Sequence, residues 1–119
     1  MKKTILLLTV LCIAGVTACQ AQTNPLDVQR KVIDSLDKKL IEILGARERA
    51  VTVIGLYKAQ HNIPPLQPAR FQQVLQKSIE AGAKEGLSAG FITQLMNAIH
   101  EESLRIEDSL KRGRSVGGI

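Results

Sequence analysis

NPLDVQRKVIDSLDKKLIEILGARERAVTVIGLYKAQ, residues 24–60, is the stretch on which the fold turns. Asn24 can cap a helix with its side-chain oxygen, and Pro25 suits the first helical position, where a missing N–H costs nothing. No breaker as strong as proline recurs until Pro64-Pro65. Gly45 and Gly55 each weaken a helix by only about 1 kcal/mol. One continuous helix is therefore expected over 26–60, roughly 50 Å long. Ile33, Leu36, Leu40, Ile43, Leu44, Val51 and Ile54 recur with helical period and share one face. A helix of that length cannot bury such a stripe within so short a chain. A second copy of the chain is the economical cover, so a homodimer is expected.

Downstream, residues 61–68 hold three prolines and form a loop. A short second helix is expected over 68–84, burying Phe71, Val74, Leu75 and Ala81. Gly86 breaks it, and Ser88 caps a third helix of medium length that runs to about residue 111, with Ile92, Met96, Ile99 and Leu110 on its inner face. Residues 113–119 are expected to be a disordered tail. No segment alternates with the period of a strand for long enough to suggest a sheet. The expected fold is all-α: one very long, one short and one medium helix in a single domain over 23–112.

Upstream lies a different kind of segment. Lys2 and Lys3 give a basic start, residues 5–16 form an apolar run too short to span a bilayer, and small residues follow. Residues 1–22 are thus expected to be a secretory signal and linker. Val16-Thr17-Ala18-Cys19 has the form of a lipobox, in which cleavage before Cys19 is coupled to its lipidation. Ordinary cleavage after Ala18 or Ala21 is the alternative and predicts a soluble periplasmic or secreted form. Export to the periplasm is expected either way, with membrane attachment only through lipid on Cys19. Cys12 would leave with the signal, so the mature domain has no disulfide framework, thiol nucleophile or thiolate metal site.

The whole chain carries a formal charge of +5, which falls to about +3 without Lys2 and Lys3. With one Tyr, two Phe and no Trp, it has few platforms for stacking bases, and nucleic-acid binding is not expected.

Several charges stand where apolar residues belong. At about 100° per residue, Arg47 lies at the centre of the first helix's stripe and Lys58 about 20° away. On the third helix, Ser103 and Glu107 lie within about 40° of the line through Ile92, Met96 and Leu110. Buried charge is costly unless paired, so these four suggest a lined cavity. The structural alternative is that the long cations snorkel, Ser103 is merely tolerated, and Glu107 pairs with Arg47. Arg47 and Lys58 are roughly 16 Å apart along the axis, which suits a compact dicarboxylate held between them. Arg30, about 25 Å from Arg47, cannot reach the same pocket from the same helix, but an antiparallel partner helix could deliver it. His61, His100 and the basic tail add no specific signal; His100 is placed on the helix flank.

These residues resemble a known family. Asn24-Pro25-Leu26, Arg30, Ile33, Leu36-Asp37, Leu40, Leu44, Arg47, Gly55 and Lys58 are similar to the first helix of the all-helical, AroQ-type chorismate mutases. The resemblance continues through Pro68-Ala69-Arg70, Val74-Leu75, Gly86-Leu87, Phe91-Ile92, Ile99, Ser103 and Glu107. It implies an intertwined homodimer with two sites and a cofactor-free rearrangement of chorismate to prephenate. Arg47 would grip one substrate carboxylate and the partner protomer's copy of Arg30 the other, as suits a bidentate guanidinium. Lys58 would donate to the ether oxygen as negative charge builds there. Ser103 would assist carboxylate binding, and Arg70 would shape the loop side of the site. Catalysis on this pattern comes from holding the substrate in its reactive fold and from preorganised charge.

Three departures stand out. Gln67 replaces an Asp ahead of the loop-side Arg. Phe71 replaces a Glu that accepts the substrate hydroxyl, and Gln73 is the candidate to take that hydroxyl instead. Glu107 stands where the familiar cytosolic enzymes have Gln, and resembles the exported branch. To donate to the ether oxygen Glu107 must be protonated, so activity is expected to favour mildly acidic pH. Lys58→Ala is expected to erase turnover with the fold intact. Two rival functions remain: an isochorismate-pyruvate lyase of the same fold, and a non-catalytic helical lipoprotein that binds a partner.

Overall fold

Three helices, α1 (Pro25–Gln60), α2 (Pro68–Lys84) and α3 (Ala89–Val116), follow one another in a computed structural model that describes residues 22–116. Residues 1–21, with the expected signal and Cys19, and residues 117–119 lie outside the described residues. The fold is all-α, with no strand among the described residues. No helix there is long and apolar enough to cross a membrane.

Local chemistry sets each boundary. The Leu26 N–H donates to Asn24 Oδ1 at 3.0 Å, and Asp27 puts negative charge in the first turn of α1. At the other end the Lys58 carbonyl accepts from the Ile63 N–H at 2.9 Å, and the prolines that follow prevent further helix. The α2–α3 corner is a Schellman turn: Leu87 N–H donates to Gly82 O at 2.9 Å and Gly86 N–H to Ala83 O at 3.2 Å. That turn requires a left-handed residue, which Gly86 supplies with φ 76°. Ser88 then caps α3, its Oγ accepting from the Phe91 N–H at 3.2 Å.

α3 is the centre of the fold. It packs on both other helices, whereas α1 and α2 make no direct backbone packing with each other. Arg47 lies against Ser103 and Ala59 against Arg114, so α1 and α3 run parallel. Phe71 lies against His100 and Gly82 against Ile92, so α2 returns antiparallel. Two glycines permit the close approach: a Cβ on Gly55 would sit 3.0 Å from Leu110 Cδ1, and one on Gly82 would sit 2.6 Å from Ile92 Cγ1.

Two expectations are corrected. Ala81 is exposed, and the buried face of α2 ends one residue later at Gly82, since 71, 75, 78 and 82 keep the helical period. The third helix does not stop near residue 111 but continues to Val116. Gly113 weakens it by about 1 kcal/mol, while the Arg114 guanidinium donates to the Ala59 carbonyl and ties this last turn to α1.

The stripe on α1 divides in two. Val51 is buried and Leu44 half-buried against the rest of the chain. Ile33, Leu36, Leu40 and Ile43 are between 48% and 66% exposed, because the first half of α3 packs on α2 and not on that half of α1.

Candidate active site

Ser103 and Glu107 are as buried as the best-covered apolar side chains, Val51 and Ile92. Both belong to a cavity of about 340 Å³ between the second half of α1 and the α2–α3 hairpin. That size is within the range that holds small ligands. The polar groups converge on it from all three helices: Arg47 and Lys58 from α1, Arg70 from α2, Ser103 and Glu107 from α3. Val51, Ile54, Phe71, Val74 and Met96 supply apolar walls.

At one end Arg47 Nη1 donates to Ser103 Oγ at 2.7 Å and to Glu48 Oε1 at 2.8 Å. The Ser103 hydroxyl lies 3.1 Å from both Glu48 carboxylate oxygens and 2.9 Å from the Ile99 carbonyl. Glu48 thus crosses from α1 to α3 and fixes one edge of the guanidinium. The Nε–Nη2 edge of Arg47 has no protein partner among the described residues, and is the fork that matches a carboxylate.

At the other end Lys58 Nζ donates to Glu107 Oε2 at 2.9 Å and to the Pro65 carbonyl at 3.0 Å. Its third contact, to Glu107 Oε1, is the longest at 3.3 Å and is the one that a ligand acceptor would displace. The pair is well covered, with the Lys58 and Glu107 side chains 14% and 8% exposed. Glu107 therefore pairs with Lys58 and not with Arg47. Breaking a covered pair by removing one partner costs about 3 kcal/mol or more. Lys58→Ala is therefore expected to lower stability as well as turnover.

Arg70 lines the loop side with no ion-pair partner among the described residues. Arg30 is elsewhere: it is exposed on the first half of α1, 3.4 Å from Asp27, and does not line the cavity. The structure also separates Gln73 from the site. Gln73 is exposed and off the lining face, because Gln67, Arg70, Phe71 and Val74 occupy the inner side of the α2 turn and Gln73 is rotated away from it.

Two residues were missed in the sequence. Glu48, next to Arg47, does not stand out in the sequence, one step off the apolar stripe. A cation at the centre of a seam needs a neutralising partner nearby, and that requirement was the available signal. His100 was placed on the helix flank, yet it lines the cavity and stacks on Phe71 with ring centroids 4.0 Å apart. Its spacing carried the signal, since Met96, His100, Ser103 and Glu107 follow one another at i+4, i+3 and i+4 on one face.

An all-helical domain with half-buried cations and hydrogen-bonded polar groups around a cavity is suited to a small anionic ligand. Comparison with known proteins gives the class a name. Residues 29–108 match the family described as chorismate mutase type II, and the chain belongs to that family of isomerases. It is 34% identical over 92 residues to the 4-amino-4-deoxychorismate mutase of Streptomyces pristinaespiralis, covering 77% of this chain and 71% of that one. It is 34% identical over 87 residues to the bifunctional chorismate mutase/prephenate dehydratase of Buchnera aphidicola subsp. Acyrthosiphon pisum, covering 73% of this chain and 23% of that one. For the bifunctional enzyme of Escherichia coli (strain K12) the identity is 31% over 87 residues, covering 73% and 22%. The chain thus spans less than a quarter of either bifunctional protein.

Proposed function

We propose that this protein is an exported chorismate mutase that works as an intertwined homodimer, converting chorismate to prephenate. The observation that carries the reading is the cavity itself: Arg47, Lys58 and Arg70 converge on it with Ser103 and Glu107. In the reaction the ether C–O bond breaks as a new C–C bond forms within one molecule, and no atom is gained or lost. The protein's task is to hold the folded substrate and stabilise charge on the ether oxygen. Arg47 takes one carboxylate on its open edge. Lys58 donates to the ether oxygen in place of its long contact to Glu107 Oε1, and Glu107 is the second donor there when it carries a proton. The second carboxylate falls to Arg30 of a second protomer.

The exposed apolar half of α1 supports the dimer. Four large side chains at 33, 36, 40 and 43 stand uncovered beside an arginine that does not line the site cavity of its own chain. Two such helices packed antiparallel would cover both stripes and bring each Arg30 to the other's site. Export rests on the leader, and lipid attachment on Cys19 in its lipobox context. Palmitate labelling of cells expressing the chain, lost on Cys19→Ser, checks the anchor.

The site favours a ring hydroxyl over a ring amine. The sole acid lining the cavity among the described residues is Glu107, already tied to Lys58, so an ammonium would find no free carboxylate. The deciding experiment incubates the purified protein with chorismate, 4-amino-4-deoxychorismate and isochorismate. Prephenate from chorismate, in preference to turnover of the other two, is expected. Salicylate and pyruvate from isochorismate alone would make it a lyase, and no turnover of any would leave a binding module.

A further inference from the structure

We propose that His100 is the group that recognises the substrate's ring hydroxyl, an inference that rests on the mutase reading above. A hydroxyl needs an acceptor for its proton, and Arg47, Lys58 and Arg70 can only donate. Five acceptors line the cavity: Glu107, Ser103, the Pro65 carbonyl, Gln67 and His100. Three are engaged. Glu107 and Pro65 O accept from Lys58, and Ser103 Oγ accepts from Arg47. Gln67 is exposed at the start of α2, where its side chain makes no capping bond. His100 is half-buried, and its ring nitrogens have no hydrogen-bond partner among the described residues.

Orientation decides between Gln67 and His100. The Phe71 ring lies on the imidazole at an interplanar angle of 15°, which sets the plane in which the ring nitrogens point. A group held in place before binding loses less freedom when the ligand arrives. Position supports the same choice. His100 is about 10 Å along α3 from Glu107, one turn beyond Ser103. With the ether oxygen at Lys58 and a carboxylate at Arg47, the Phe71–His100 corner is left for the ring. Phe71 offers it an apolar wall, and the imidazole supplies both an acceptor and a donor when neutral.

The test compares kcat/KM of the full chain on chorismate and on the analogue whose ring hydroxyl is replaced by hydrogen. His100→Phe keeps an aromatic ring against Phe71 and removes the nitrogens. It should lower kcat/KM on chorismate by roughly three- to tenfold, as expected for one neutral hydrogen bond, and leave the analogue unchanged. Should His100→Phe not fold, as judged by its melting curve, His100→Leu gives the same comparison. His100→Asn, which keeps an acceptor and a donor, should recover part of the loss. An equal loss on both substrates would mean a structural role and overturn the proposal, as would no loss, or a loss that appears in Gln67→Ala instead. No chorismate turnover by the unaltered protein would sink the mutase reading, a result visible before any variant is made.

Discussion

The two halves of α1 are built from the same kinds of residue and meet opposite fates. Residues 25–43 carry a regular apolar stripe and lie entirely exposed. Residues 44–60 interrupt that stripe with Arg47 and Lys58 and are the part that the rest of the chain covers. Hydrophobicity therefore does not decide which half is buried within one protomer. The choice of partner decides it: α3 meets α1 from Ser103 to Arg114, while its earlier residues Ile92 and His100 meet α2, so the first half of α1 is left uncovered. On the proposed reading the apolar half is a surface for another chain, and the charged half is the site. Cations are tolerated there because each has a partner: Glu48 and Ser103 for Arg47, Glu107 and Pro65 for Lys58.

The largest effect should come from the covered half. Lys58→Ala is expected to lower kcat at least about 10³-fold, as for loss of a charged donor to a developing oxyanion. It should also destabilise the fold by about 3 kcal/mol, because Glu107 is left buried without its cation. Steady-state assays and urea titration measure the two separately; unchanged stability would show that the ion pair is not held in solution.

The exposed half answers next. Leu36→Asp together with Leu40→Asp should leave the helical spectrum intact while producing a monomer in sedimentation, with activity lost alongside the dimer. A monomer of full activity would sever the link between the two halves. Arg30→Ala should be milder: a fall of roughly 10²-fold in kcat/KM with no change in melting, since this arginine is exposed in its own chain. Refolding a mixture of Arg30→Ala and Arg47→Ala chains should restore part of the activity, because one site in each mixed dimer then has both arginines. No recovery would place Arg30 outside the site.

The smallest change is expected at Glu107. Glu107→Gln keeps the shape and a donor to the ether oxygen without needing a proton, so turnover at acidic pH should stay within about tenfold. The rate of Glu107→Gln should depend less on pH than that of the unaltered protein, because its amide donates without a proton to gain or lose. The other titratable and charged groups lining the cavity, Arg47, Lys58, Arg70 and His100, are common to both proteins, so the difference between the two profiles isolates residue 107. Loss of activity at every pH would remove the donor role.

Local chemistry was enough for much of this molecule. Asn24-Pro25, Pro68, Gly86 and Ser88 mark helix boundaries within a residue or two, because caps and breakers act over one turn. Arg47, Lys58, Ser103 and Glu107 were visible because charge on an apolar face has few cheap explanations. Tertiary structure alone decided how these residues pair. Sequence order cannot say that Glu107 meets Lys58 and not Arg47, since that depends on α1 and α3 running parallel at a register set by Gly55. Nor can it say that Gln73 turns away while His100 turns in against Phe71, because each depends on the rotation of one helix against another. Periodicity assigns a residue to a face; the packing of the faces assigns it a partner.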